Sequence, residues 1–233
     1  MKDVENWQKH VAVETKSAVE LEAALEARGK KAELQSITGD FPQPDRISFT
    51  PQEDPLGLGH AVWCARDFIG NEPFAVLLPD DLIQATPGCL SQMMDAYQGT
   101  GGNVVAVEEV AADLTSRYGI LDVTEDDGRL ARAKGLVEKP SPDDAPSRLA
   151  IIGRYILQPE IFEHLDKKVT GAGGEIQLTD AMAKMIGSNP FHGLRFEGTR
   201  FDCGDKAGFI EANIAFALAR DDLREQIVLL LAK

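Results

Sequence analysis

In the stretch HAVWCARDFIGNEPFAVLLPDD, His60 to Asp81, two hydrophobic periods follow one another. Val62, Cys64, Ala65, Phe68 and Ile69 recur at helical spacing, and the unbroken apolar run Phe74 to Leu78 then reads as a fully buried strand. With a short strand expected upstream at Arg46 to Thr50, before PQEDPLGLG, the segment is a strand, helix, strand unit. A helix over Pro87 to Tyr97 and a strand over Asn103 to Val107 repeat the alternation. This order predicts an α/β fold, a parallel sheet covered by helices.

Further upstream, SAVELEAALEARGKKA (Ser17 to Ala32) places Leu21 and Leu25 one helical turn apart among charges, with Gly29 near its end, and reads as an amphipathic helix. The turn formers of GDFPQPD, Gly39 to Asp45, predict a loop. Downstream, Tyr118 to Tyr155 changes to strands and turns, the texture of an antiparallel insertion. Helices return at Pro159 to Leu165, Glu175 to Ile186, Lys206 to Ala219 and Asp221 to Ala232.

A chain of 233 residues with 43% hydrophobic side chains can bury one substantial core, and one domain is expected rather than two. Cys64, Cys89 and Cys203 show neither disulfide nor zinc spacing, which fits a reducing compartment. Residues 1–16 lack the apolar run of a signal peptide or membrane span, so a soluble cytoplasmic protein is expected, with no membrane partner. A formal charge of −14 without a basic stripe argues against nucleic acid as a partner. A small phosphate ligand would need local devices: a metal ion, a placed lysine or free backbone amides.

Four places offer such devices. Asp80 and Asp81 follow the apolar run, where a carboxylate at a strand's C-terminal end faces the ligand crevice of an α/β sheet and suits Mg²⁺; either could equally cap the next turn. In Pro55-Leu56-Gly57-Leu58-Gly59-His60 the glycines would let backbone amides approach a ligand, although such pairs are commonly ordinary turns. Glu138 and Lys139, adjacent at a strand end, would project to opposite sides, the carboxylate suited to sugar hydroxyls and the ammonium to a phosphate; surface ion pairing is the alternative. In FDCGDK, Asp202 could be a second metal-facing carboxylate, while Asp205 reads as a helix N-cap. His10, His60, His164 and His192 show no metal spacing, and nothing suggests covalent catalysis.

Eight segments in register, PLGLGHAV, FAVLLPDD, VAVEEV, SRYGI, GLVEKP, GRYIL, GAGGEIQLTDA and FDCGDKAGFIEANIAFAL, resemble the bacterial UTP:glucose-1-phosphate uridylyltransferases. The resemblance covers 17–233 and leaves 1–16 unmatched. It implies a nucleotidyltransferase fold of the GT-A, Rossmann-like kind: a mixed, mostly parallel sheet, helices on both faces, a smaller antiparallel sheet, and the active site between. It implies Mg²⁺ held by Asp80 and Asp202, uracil contacts at Gln52 and Gly57, glucose contacts at Gly119, Glu138 and Gly153 or Glu175, and phosphate contact at Lys139, with Lys139 and Asp80 the catalytic groups. UTP, glucose 1-phosphate and UDP-glucose would be the ligands, and a homo-oligomer the assembly. The family's Gly-rich loop with its Arg, and its Lys-Glu-Met-Leu-Pro segment, have no counterpart in the sequence, and Pro51 stands where Arg is expected. The first βα unit is thus expected to be missing and turnover to be low. An inactive, ligand-binding chain, or a dTTP-dependent transferase, are the rival expectations.

Overall fold

The computed structural model describes residues 22–38 and 48–232, and the chain divides into two compact units, Met1–Pro55 and Leu56–Lys233. In the first unit residues 22–27 are helical (α1) and a second helix, α2, spans Lys31–Thr38. The single helix expected over Ser17 to Ala32 is therefore broken at Gly29. Its φ of 67° is left-handed, and the N–H groups of Gly29 and Lys30 cap the carbonyls of Glu26 and Leu25, both at 3.0 Å. Residues 48–50 form no strand, whereas residues 1–16, the loop Gly39 to Asp45, and Arg46 and Ile47 lie outside the described residues.

The second unit opens with α3 (Leu58–Cys64) and α4 (Arg66–Ile69), followed by β1 (Phe74–Leu77), β2 (Asp81–Gln84), α5 (Cys89–Thr100) and β3 (Asn103–Glu109). Then come β4 (Gly119–Asp126), β5 (Leu130–Glu138), β6 (Leu149–Leu157), α6 (Ile161–Leu165), α7 (Leu178–Met185), β7 (Phe191–Arg195), β8 (Thr199–Asp202), α8 (Lys206–Leu218) and α9 (Asp221–Leu231). One sheet has the order β1-β6-β3-β7-β5-β4, and β2 pairs with β8 in a second.

The α/β class holds, with helices on both faces of a mixed sheet, but the mostly parallel pairing does not. Among the described residues only β3 and β7 pair in parallel. The βαβ reading of β1, α5 and β3 is right in direction, since both strands run antiparallel to β6. Alternation of elements fixes direction, however, and says nothing about which strand slides in between. The small antiparallel sheet exists but is built from β2 and β8 rather than from Tyr118 to Tyr155, whose strands join the main sheet.

Strand β3 shows how the layers are held. Val105 and Val107 enter a core with Val62 of α3, Ile161 and Leu165 of α6, and Met182 and Met185 of α7, whereas Val104 and Ala106 enter a second with Cys89 and Met93 of α5. Successive side chains leave a strand on opposite faces, so a continuous apolar run serves two helical layers. Strand β1 departs from the expected full burial: Phe74 and Val76 pack against the first core, while Ala75 and Leu77 are exposed. It lies at the end of the sheet order, paired only with β6 among the described residues. Phe68, expected inside, is 62% exposed, because α4 is a single turn that leaves the core after Ile69.

Candidate functional site

The turn after β1 separates two neighbouring carboxylates. Asp81 is buried; its Oδ2 accepts from the Gly153 N–H at 2.9 Å, and its Oδ1 from Arg200 Nε. Asp80, one residue earlier, has an exposed side chain. Pairing of β2 with β8 sets Asp81 opposite Asp202, and the Cys203 N–H donates to the Asp80 carbonyl at 2.7 Å, so Asp80 and Asp202 share one end of the small sheet. Between them sits Gly204. A Cβ there would stand 3.2 Å from Asp202 Oδ1 and 3.6 Å from Asp80 Oδ2, so glycine leaves open a cradle edged by two carboxylates.

No group of three or more His, Cys, Asp or Glu among the described residues is placed to hold a metal. Two carboxylates suit Mg²⁺ nonetheless, because that ion keeps several waters and completes its octahedron with substrate phosphate oxygens. The cradle therefore fits Mg²⁺ held by Asp80 and Asp202. Asp205 caps α8 as expected, accepting from the Ala207 N–H at 2.8 Å.

Arg200 was not singled out by the sequence reading. Its side chain, 9% exposed, contacts Asp81 and lies 3.5 Å from Asp202 Oδ2, 3.7 Å from Glu108 Oε2 and 3.5 Å from the Tyr118 hydroxyl. Burial alone would lower its pKa; hydrogen bonding to Tyr118 and the Asp81 carboxylate outweigh that and hold it above the ordinary value. The signal that could have found it is period two: Arg200 and Asp202 leave a short strand on the same side.

Next to the cradle lies a second wall. Gly119 pairs with Glu138, and a Cβ on Gly119 would meet Glu138 Oε2 at 3.2 Å and Thr179 Oγ1 at 3.3 Å. Arg117, at 3.8 Å from Asp202, and Tyr118, whose carbonyl accepts from the Lys139 N–H at 2.9 Å, join the two walls. The phenol of Tyr155 is raised first by burial and then by the charges of Asp81, Glu138 and Asp80. Glu138 and Lys139 do not project to opposite sides. Lys139 takes a left-handed φ of 47°, which ends the strand alternation and turns Nζ back to 3.6 Å from Glu138 Oε1. Thr179 went unnoticed because nothing in QLTDA separates it from an ordinary helix residue.

The remaining candidates divide. Gly57, at φ 106°, lets the chain approach Glu175 and Ile176, a Cβ there lying 2.8 Å from Glu175 Cβ. The Gly59 N–H donates to the Ile176 carbonyl at 2.9 Å and the Ile176 N–H to the Leu56 carbonyl at 2.7 Å. These glycines thus admit another segment of the chain, beside which the exposed Glu175 stands. Gly153 packs under the turn that carries Asp80 and Asp81: it is buried, its N–H donates to Asp81, and its carbonyl accepts from Leu78 and Arg154. Gln52 belongs to the first unit, where it is half-buried.

The nucleotidyl transferase family description matches residues 5–217. The chain is 54% identical over 187 residues to the UTP--glucose-1-phosphate uridylyltransferase of Komagataeibacter xylinus, covering 80% of this chain and 66% of that one. To the UTP--glucose-1-phosphate uridylyltransferase of Bacillus subtilis (strain 168) it is 49% identical over 210 residues, 90% of this chain and 71% of the relative. A UTP-bound UGPase from Acinetobacter baumannii superposes with a TM-score of 0.79 at 35% identity, covering 92% of this chain and 75% of that structure. The chain thus spans about two thirds of the length of the first relative.

Proposed function

We propose that this chain, which belongs to the nucleotidyl transferase family and within it to the UTP--glucose-1-phosphate uridylyltransferases, carries the site that converts UTP and glucose 1-phosphate into UDP-glucose and pyrophosphate. The observation that carries the reading is the cradle at Gly204 between Asp80 and Asp202, set beside Gly119, Glu138 and Lys139. Acidic residues fit a metal, and the neighbouring carboxylate and ammonium fit the two ends of a sugar phosphate.

A phosphate oxygen of glucose 1-phosphate attacks the α-phosphorus of UTP in line, and its new bond forms as the bond to pyrophosphate breaks. Mg²⁺ held by Asp80 and Asp202 supplies neutralisation of phosphate charge. Lys139 places its ammonium against the sugar phosphate, and Glu138, whose side chain is 12% exposed, accepts from the sugar hydroxyls. Gly119 is assigned to the sugar as a buried residue whose missing side chain lets Glu138 and Thr179 close on the backbone beside the ring. Gly57 is assigned to the uracil and Glu175 to the sugar, and a homo-oligomer working in the cytoplasm completes the proposal.

The test is equilibrium binding of UDP-glucose together with pyrophosphate release from UTP and glucose 1-phosphate in Mg²⁺. Binding with Mg²⁺-dependent release supports the reading, and absence of both overturns it. Binding without release supports the second reading, a chain that holds the sugar nucleotide without turnover. Release with dTTP matching that with UTP would replace the uridylyl assignment.

A further inference from the structure

The small sheet is a weak platform for a metal. Strands β2 and β8 have four residues each, and an isolated two-stranded ladder is marginal in water. Something besides their pairing must fix Asp202 opposite Asp80. A relay of contacts from the large sheet does so. The Gly153 N–H on β6 holds Asp81 Oδ2 at 2.9 Å, and Arg154 reaches the Leu78 carbonyl at 2.7 Å and the Asp81 carbonyl. Asp81 Oδ1 in turn receives Arg200 Nε, and another nitrogen of the same guanidinium lies 3.5 Å from Asp202 Oδ2. A third contact runs to Glu108 near the end of β3 at 3.7 Å, and the Tyr118 ring lies 5.4 Å away.

From this geometry we infer that Arg200 is the positioning residue of the metal cradle, a side chain that ties Asp202 to both sheets. The inference rests on the reading of Asp80 and Asp202 as metal ligands. Arg200 touches neither substrate nor metal. It acts through Asp202, and its planar fork is what allows one cation to meet carboxylates from three strands. A lysine keeps the charge and loses the fork.

The experiment is a Mn²⁺ titration followed by electron paramagnetic resonance, with Mn²⁺ standing in for Mg²⁺, on the full chain, Asp80→Asn and Arg200→Lys. UDP-glucose binding without metal is measured in parallel. Arg200→Lys should weaken Mn²⁺ binding about 10- to 100-fold, as loss of a group that orients a metal ligand does, and leave UDP-glucose affinity within about threefold. A merely structural role would weaken both together or neither, and either result overturns the inference. If Asp80→Asn leaves Mn²⁺ affinity unchanged, or the full chain binds no Mn²⁺, the metal reading itself falls. If Asp80→Asn weakens binding and Arg200→Lys does not, only the positioning role falls. Should Arg200→Lys not fold, Glu108→Gln removes one tether at a side chain 44% exposed. It should weaken Mn²⁺ binding about threefold, and unchanged affinity would overturn the inference.

Discussion

Asp80 and Asp81 are chemically identical and differ in what surrounds them, so the same substitution should fail in two different ways. Asp80→Ala removes an exposed carboxylate that makes no side-chain hydrogen bond or ion pair among the described residues, and should leave stability within about 0.5 kcal/mol while cutting Mg²⁺-dependent turnover at least 100-fold. Asp81→Ala deprives Arg200 of its closest partner and the buried Gly153 N–H of its acceptor, while Asp202 and Glu108 still face the guanidinium, and should cost about 1–3 kcal/mol. Chemical denaturation and a pyrophosphate assay on the two variants separate these outcomes, and equal stability losses would refute the division. At Lys139 the ammonium lies beside Glu138 but is half exposed, free to meet a phosphate. Lys139→Ala should therefore raise the KM for glucose 1-phosphate about tenfold or more and that for UTP far less, and unchanged constants would return it to the surface. At this scale the sequence was readable where placement follows backbone position, as for the exposed Asp80 in the turn after β1 and the capping Asp205 at a helix start. It was silent where chemistry depends on a distant partner. Nothing local tells that Asp81 will meet Gly153, 72 residues away, or that Arg200 will meet Asp81 across 119.

Among the elements, α5 and α7 followed from periodicity because each has a face that a core consumes, as Leu178, Ala181, Met182 and Met185 of α7 do, whereas α8 and α9 leave Phe209, Ile210, Val228 and Leu231 exposed. Strand neighbours did not follow from periodicity, because hydrogen-bonding partners are chosen by the whole sheet. The insertion of β6 between β1 and β3 is the consequence that matters, for it brings Gly153 under the Asp80-Asp81 turn. A Cβ at 153 would lie 2.5 Å from Asp81 Oδ2 and 2.7 Å from Leu78 Cβ, and neither neighbour is the loose end of a flexible chain. Gly153→Ala should therefore destabilise by about 1–3 kcal/mol, the usual cost of overpacking, and reduce Mn²⁺ affinity in the same variant, because the strain is delivered to the turn that carries Asp80. A stability loss with normal metal affinity would mean that β6 and the cradle are mechanically separate.

For the whole molecule, acid should act through two half-buried histidines before it acts through carboxylates. His164 and His192 are both held below the ordinary imidazole range, first by burial and then by neighbouring cations: Lys167 and Lys184 for the one, Arg132 for the other. In each ring Nδ1 is buried without a hydrogen-bond partner among the described residues, so a proton added there would find no acceptor among them. Because the folded pKa values lie below the unfolded one near 6.5, the unfolded chain binds more protons as pH falls through that value. Stability from these groups is complete above pH about 6.5 and is lost on the way down to their folded pKa values. Asp126, lowered chiefly by its hydrogen bond to Arg195, has the same sign in a more acidic window, since its stabilisation is present above the ordinary aspartate pKa and fades below it. The net charge of −14 adds a repulsion that salt screens and that protonation of carboxylates relieves, so it cannot produce a loss of stability on mild acidification. The melting temperature should accordingly fall between pH 7 and pH 5.5 at fixed ionic strength, and the slope should flatten when His164 and His192 are both replaced by glutamine. A slope unchanged in that double variant would assign the acid response to other groups and remove the histidines from the account.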